Sequence, residues 1–266
     1  MTTGADAVAQ LPVHARAVRW VADEGLPDER EVLAGVDLDL GPRDRIGLAG
    51  RSGSGKTTLA TILAGLLEPT SGEVAGRAVL VFQDPERGFF EETVLEDVAF
   101  GPRNAGLPES EARQRAETAM RTVGLDPDRF GNRAPETLSG GEARRAAIAG
   151  VLALSPRAIV FDEPTTGLDA DGVAGFRDIL RALREEGAAY LVVSHESSLL
   201  AAECERVLVL AEGLVVADGS SARGDESPAG ERELARVADA LRTRGWLTED
   251  VPATVETIVE AWAAHA

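Results

Sequence analysis

Lys56 is the single lysine of a 266-residue chain with 27 basic side chains, and it stands inside Gly50-Arg51-Ser52-Gly53-Ser54-Gly55-Lys56-Thr57, followed by Thr58. These residue types at this spacing can hold a phosphate. Glycines let the backbone curl until its N–H groups converge on an anion, and a slim ammonium stem enters a curl too tight for the planar fork of arginine. Residues 46–49 read as a short buried strand and 58–66 as a helix opening straight after the loop, the context such a loop requires.

A second surface of this kind is written at Leu138-Ser139-Gly140-Gly141-Glu142. Ser139 and Glu142 have the spacing of a capping box at the start of a helix. Two adjacent glycines weaken that helix and a cap does not need them, but their missing side chains let backbone N–H groups and the helix dipole come close to an anion.

The remaining candidates sit at the ends of apolar runs. Residues 78–82, 158–161 and 190–193 are continuously apolar, as parallel strands buried on both faces are. Gln83 follows the first, Asp162 and Glu163 the second, Ser194 and His195 the third. Ligands gather at the carboxyl ends of strands in an open parallel sheet. With the phosphate loop, four strand ends deliver amides, a carboxamide, two carboxylates and an imidazole toward one place.

The elements that must hold these groups read as an α/β fold. Val36-Asp37-Leu38-Asp39-Leu40 alternates apolar and acidic residues, the pattern of a strand with one wet face in an N-terminal antiparallel region. Between Gln83 and the 158–161 strand, helical spacing at Ala112, Ala116, Ala119, Met120 and Val123 and again over 146–154 predicts an inserted helical subdomain at about 84–154. A helix is expected over 173–185, and 206–210 with 214–218 read as a closing hairpin. These elements define a domain over 1–219. A Gly/Ser/Ala/Asp/Glu-rich linker follows at 220–230, then a helical C-terminal extension at 231–266 with stripes at Leu234, Val237, Ala238, Leu241 and at Val255, Ile258, Val259, Trp262. That extension is too short to bury a core alone and must pack on the main domain or on a partner.

Composition narrows the function. A net charge of −18 without a basic run argues against nucleic acid, whose phosphates such a surface repels. Cys204 is the one cysteine, which excludes an internal disulfide, and the first thirty residues lack an export signal, so a reducing cytoplasm is expected. No apolar stretch reaches the roughly 20 residues that cross a bilayer. Aromatics make up 4% of the chain, so the core must be aliphatic.

The ordered set of motifs resembles the ABC-type ATPases over about residues 15–220, a P-loop NTPase core with an N-terminal antiparallel β region and a helical insertion. Gly50 to Thr57 corresponds to Walker A, Gln83 to the glutamine loop and Leu138 to Gly141 to the signature. Ile159-Val160-Phe161-Asp162-Glu163-Pro164 corresponds to Walker B, Gly167-Leu168-Asp169 to the D-loop and His195 to the switch histidine. A finer resemblance, to the ATPase subunits of energy-coupling factor importers of vitamins or transition-metal ions, lies in Val81-Phe82-Gln83-Asp84-Pro85, in the stretch from Thr93 to Asn104, and in Arg144 to Ala153; Gly88 departs from it where that group often has glutamine.

The resemblance implies ATP and Mg²⁺ as ligands. Lys56 and the loop amides would neutralise the β- and γ-phosphates, Thr57 and Asp162 would hold the metal, and Gln83 would reach metal or attacking water. Glu163 would polarise that water as general base and His195 would hold γ-phosphate, water and base in line. It further implies a homodimer, or a heterodimer with a paralogous ATPase, in which the signature of one chain, Leu138 to Glu142, faces ATP on the other. The implied membrane partners are a transmembrane scaffold and a substrate-binding subunit, with the chain peripheral on the cytoplasmic face. Glu91, Glu92, Glu96 and Asp97 form an acidic surface just after Gln83 that would meet arginines of the scaffold or remain solvated. Trp20, 30 residues before Gly50, would stack on adenine or pack in the N-terminal sheet. An ATPase of another ABC class, or one outside transport, is the alternative.

Overall fold

Alternation along 36–40 puts Val36, Leu38 and Leu40 in the core while Asp37 stays exposed, and the continuous runs 158–161 and 189–193 are buried throughout. The first pattern makes a strand with one wet face, the second makes strands covered on both sides. The computed structural model describes residues 12–82 and 88–220, and beyond them 238, 242, 243, 245–248, 250, 257 and 261. Most of the expected linker and extension lies outside the described residues, as does Gln83.

In chain order the elements begin with β1 (Val13–Ala22), β2 (Arg30–Leu40), β3 (Arg45–Ala49), α1 (Lys56–Leu63), β4 (Ser71–Gly76) and β5 (Val79–Val81). Then come α2 (Val94–Asn104), α3 (Glu109–Thr122), α4 (Pro127–Phe130), a 3₁₀ turn at Pro135–Thr137 and α5 (Gly140–Ala153). The last are β6 (Ala158–Asp162), α6 (Ala170–Glu186), β7 (Ala189–Val193), α7 (Ser197–Glu203), β8 (Arg206–Ala211) and β9 (Leu214–Ser220). They fall into two units, one within Met1–Leu80, Ala158–Glu163 and Ala188–Ala266, the other within Val81–Arg157 and Pro164–Gly187.

The first unit holds an antiparallel sheet of order β2-β1-β4 and a six-stranded sheet of order β5-β6-β7-β3-β8-β9. Pairs β3–β7, β3–β8 and β6–β7 are parallel, and β8–β9 is the expected antiparallel hairpin. Val13, Val36, Ile46, Leu48, Leu59, Val160, Leu191 and Leu208 belong to one aliphatic core shared by both sheets, as the scarcity of aromatics requires. Because β7 lies between β3 and β6, the loop after β3 and the residues after β6 and β7 emerge side by side at one sheet edge, where chain order switches.

Helix α1 stops earlier than its apolar pattern suggests. Gly65 takes φ 67°, and its N–H and that of Leu66 return to Ile62 and Thr61 carbonyls. This Schellman closure ends the helix before Leu66.

The second unit is helical. Ala112, Ala116, Ala119 and Met120 of α3 are buried as their spacing predicts, and α2, α3 and α5 pack on one another. Asp169 caps α6, whose Oδ1 accepts the Gly172 N–H at 2.8 Å, so this helix begins at Ala170, ahead of its apolar stripe.

Candidate nucleotide-binding and catalytic site

The loop after β3 is shaped by two approaches that forbid a side chain. At Gly50, φ 149°, a Cβ would lie 2.3 Å from the Leu210 carbonyl oxygen; at Gly55, φ 104°, it would lie 2.8 Å from the Leu33 side chain and the Val32 carbonyl. Gly53 also has positive φ, while Arg51 and Ser52 are exposed. Gly55 precedes α1 and supplies no side-chain cap, so the first-turn amides of Lys56, Thr57 and Thr58 stand where an anion can accept from them. The Lys56 side chain is buried, its Nζ donating to the carbonyls of Gly50 at 2.7 Å and Arg51 at 2.8 Å.

Burial lowers the Lys56 pKa, against the opposing pull of Glu163 and Asp162. Burial raises that of Asp162, opposed by a hydrogen bond from the Thr57 hydroxyl and reinforced by Glu163. Asp162 Oδ1 and Ser54 Oγ are buried without a hydrogen-bond partner among the described residues. Orphaned oxygens of this kind call for a ligand. A carboxylate oxygen left over beside a threonine hydroxyl is a donor set that suits Mg²⁺, which takes few protein ligands and completes its shell from phosphate and water.

One residue further, Glu163 and His195 meet. The Glu163 N–H donates to the Val193 carbonyl at 3.0 Å, and its Oε2 lies 2.8 Å from His195 Nδ1. Glu163 adopts φ 48°, the left-handed region that non-glycine residues rarely occupy, immediately before Pro164. Ser194, also at this strand end, is fully buried, and its Oγ accepts the Glu196 N–H at 3.0 Å, a local structural bond. A buried ammonium, a metal-ready carboxylate and a carboxylate–imidazole pair thus share one edge of the sheet.

The second unit carries the glycine pair of the other candidate anion surface. Ser139 Oγ accepts the Glu142 N–H at 3.3 Å and the Ser139 N–H donates to Glu142 Oε2 at 2.8 Å, closing the capping box. That backbone hydrogen bond lowers the Glu142 pKa, with Arg133 and Arg145 contributing. Among the described residues a Cβ at Gly140 would meet nothing within 4 Å, and one at Gly141 only the Arg145 guanidinium at 3.8 Å. Neither glycine has positive φ. Packing and conformation within the chain therefore leave both glycines unexplained. Leu138, half-buried, ends the 3₁₀ turn that leads into this cap.

Residues 33–166 match the family model described as ABC transporter. An energy-coupling factor transporter ATP-binding protein, EcfA2 of Symbiobacterium thermophilum, is 39% identical over 96% of this chain and 95% of its own length. The chain belongs to the ABC transporter family, among the ATP-binding proteins of energy-coupling factor transporters. Among solved structures, cbiO1 from Clostridium perfringens, part of the ABC transporter complex cbiONQ, superposes with a TM-score of 0.71 at 27% identity over 89% of this chain and 98% of that one. The dimeric ATP-binding cassette MJ0796 bound to ADP and Pi gives 0.68 at 29% identity over 80% of this chain and all of that one.

Within the cassette, Trp20 pairs across the strands with Leu33, the residue that abuts Gly55, and packs half-buried against the core. Sequence reasoning gave no role to two arginines. Arg133 bonds the Thr137 carbonyl and lies 3.8 Å from Glu142 Oε2, bracing the signature turn. Arg144 is buried and donates to the Pro164 carbonyl at 2.9 Å. Its i, i+4 relation to the buried Ile148 is the signal that could have exposed it.

Proposed function

We propose that this cassette hydrolyses ATP at the β3–β6–β7 edge to energise a membrane importer of the energy-coupling factor type. The observation that carries the reading is the Glu163–His195 pair placed one residue beyond Asp162. Glu163 serves as general base toward water, and His195 holds the base in line with the γ-phosphate. Lys56 leaves the loop carbonyls to bind phosphate, helped by the amides from Gly50 to Thr58. Thr57 and Asp162 would hold Mg²⁺, with Gln83 as a further ligand; the metal, when bound, would neutralise charge on the β- and γ-phosphates. Trp20 stacks on adenine through its half-exposed face.

Gly140 and Gly141 support pairing of two cassettes, with Leu138 to Glu142 of one completing the nucleotide site of the other. Among the described residues nothing crowds either position closer than the Arg145 guanidinium, 3.8 Å from a Cβ at Gly141, which leaves room for an approaching triphosphate. The second chain is a copy of this one or a paralogue. Asp169 caps α6 and sits in the segment that the family's D-loop occupies.

The transmembrane and substrate-binding subunits of the importer are separate chains. The scaffold docks on the exposed Phe90 and Phe100 and the acidic residues around them, at the cytoplasmic face. Residues 1–219 form the ATPase domain with an inserted helical subdomain at about 84–154, 220–230 a linker, and 231–266 a helical extension. Removing residues 224–266 and measuring pairing separates an extension that joins chains from one that packs on its own domain.

Phosphate release and ATP-dependent pairing of Glu163→Gln test the reading. Retained ATP binding, lost turnover and a trapped pair are expected; wild-type hydrolysis by this variant would refute the role of Glu163.

A further inference from the structure

We infer that Arg144 is a positioning residue that ties the two nucleotide sites of the paired cassette together. It lies two positions beyond Glu142 on α5, 8% exposed, and one guanidinium nitrogen donates to the Pro164 carbonyl at 2.9 Å and the Thr166 carbonyl at 3.3 Å. A guanidinium taken out of water is costly unless its donors are matched, and its planar fork fixes the direction of each bond it makes. The first turns of α5, which carry Gly140 and Gly141, are therefore pinned to the segment running from Pro164 to Thr166. A shift of the signature turn moves the Pro164 carbonyl, and with it the peptide that follows the general base.

The inference rests on the head-to-tail pairing proposed above. In that pairing the glycines of one chain close over the nucleotide held by the other chain, while Glu163 acts on the nucleotide of its own phosphate loop. Arg144 holds the first of these surfaces to the Pro164 carbonyl, one peptide bond after the base, so closure at one ATP places the base at the second. Two identical sites joined this way respond to ATP cooperatively, with a Hill coefficient that can approach the number of sites.

The test is the dependence of hydrolysis on ATP concentration for the full-length chain and for Arg144→Gln and Arg144→Lys, alongside binding of a fluorescent ATP analogue to the unpaired chain. Wild type is expected to give a Hill coefficient near 2 and Arg144→Gln one near 1, with maximal turnover lowered about tenfold. Analogue binding by the unpaired chain is expected to stay the same. Lysine keeps the charge but lacks the fork, so Arg144→Lys is expected to recover part of the cooperativity. A purely structural role would change the melting temperature and leave the Hill coefficient alone.

A Hill coefficient of 1 in wild type, or an unchanged one in folded Arg144→Gln, overturns the inference. Where neither variant folds, hydrogen exchange on the wild-type chain decides it. Amides of 140–145 and 165–169 gaining protection at one common concentration of a non-hydrolysable ATP analogue support the link, and separate midpoints overturn it. Gly141→Asp distinguishes the two readings. If it leaves hydrolysis intact, the pairing itself is wrong; if it stops hydrolysis while Arg144→Gln remains cooperative, only the role of Arg144 falls.

Discussion

Glu163 Oε2 lies 2.8 Å from His195 Nδ1, the carboxylate side chain 18% exposed and the imidazole 64%. The contact follows from register: β6 and β7 run parallel with Asp162 opposite Val193, and each chain then takes one or two further steps before its functional side chain. A carboxylate mostly shielded and an imidazole mostly in solvent suit the proposed division into base and γ-phosphate sensor.

His195→Ala is therefore expected to lower turnover by about 10²-fold, at the low end for loss of a group acting in proton transfer, while ATP binding persists. Glu163→Gln is expected to cost more, and the double variant little beyond Glu163→Gln, because residues acting as a unit are non-additive. Single-turnover phosphate release measures all three. Additive losses would show that the 2.8 Å contact carries no catalytic meaning.

Such contacts mark where sequence reading stopped. Strands at 46–49, 158–161 and 190–193 were legible because continuous apolar runs have few other homes, and the loop glycines because phosphate geometry demands them. Strand order was not legible, because nothing in the periodicity places β7 between β3 and β6; convergence of Glu163 and His195 was expected from the strand ends, and the sheet supplies the direct contact between them. Arg144 escaped because a charged residue among charged neighbours on a helix reads as solvated, whereas a backbone 20 residues away buries it. The end of α1 was misjudged because Gly65 looks like a tolerated helical glycine until its left-handed φ is seen.

Asp162→Asn is expected to stabilise the nucleotide-free protein while removing Mg²⁺-dependent turnover. The carboxylate is buried with one oxygen unpartnered, a cost of about 1–3 kcal/mol that a neutral amide reduces. Thermal unfolding without nucleotide, compared with phosphate release in a Mg²⁺ titration, checks both halves. A lowered melting temperature would mean that Asp162 already contributes to the fold without its metal.

Asp39 gives the protein an acid-sensitive anchor. Its carboxylate accepts from the Arg16 guanidinium at 2.8 and 2.6 Å and lies 2.5 Å from His14 Nδ1. Arg16 first, then His14, holds its pKa below the ordinary aspartate value. On acidification the unfolded chain takes up this proton first, so the contribution is complete above the ordinary value and is lost as pH falls through the lowered one. Asp39→Asn is expected to cost up to about 1 kcal/mol at pH 7, the range of a partly exposed ion pair, with the difference fading below about pH 4. Urea unfolding at a series of pH values measures it, and a difference independent of pH would exclude the ionic origin.

The acidic surface after Gln83 is partly committed to its own unit. Asp97 Oδ1 accepts the N–H groups of Phe90 at 3.0 Å and Glu91 at 3.2 Å, Glu91 pairs with Arg103 at 3.1 Å, and Glu96 accepts from the Thr93 hydroxyl at 2.7 Å. Glu92 is exposed beside them. Glu92→Arg is thus expected to leave stability and basal hydrolysis unchanged while weakening association with the membrane scaffold. Asp97→Arg is expected to destabilise the second unit by about 1–3 kcal/mol through the orphaned amides. Co-purification and thermal melts separate the two, and a scaffold bound equally well by Glu92→Arg would remove this face from the docking surface.

Gly140 and Gly141 set stability against function most plainly. Both lie in the first turn of α5, where alanine is the better helix former, and neither has a neighbour that a methyl group would strike. Judged within the chain alone, Gly141→Ala should make the protein up to about 0.5 kcal/mol more stable. In the proposed pair, that methyl group would stand between the α5 amides and the triphosphate, so ATP-driven pairing in the Glu163→Gln background should weaken. A higher melting temperature together with reduced pairing by light scattering is the expected result. Stabilisation with undiminished pairing would mean that no anion comes close to this turn, and that the two glycines serve something other than a nucleotide.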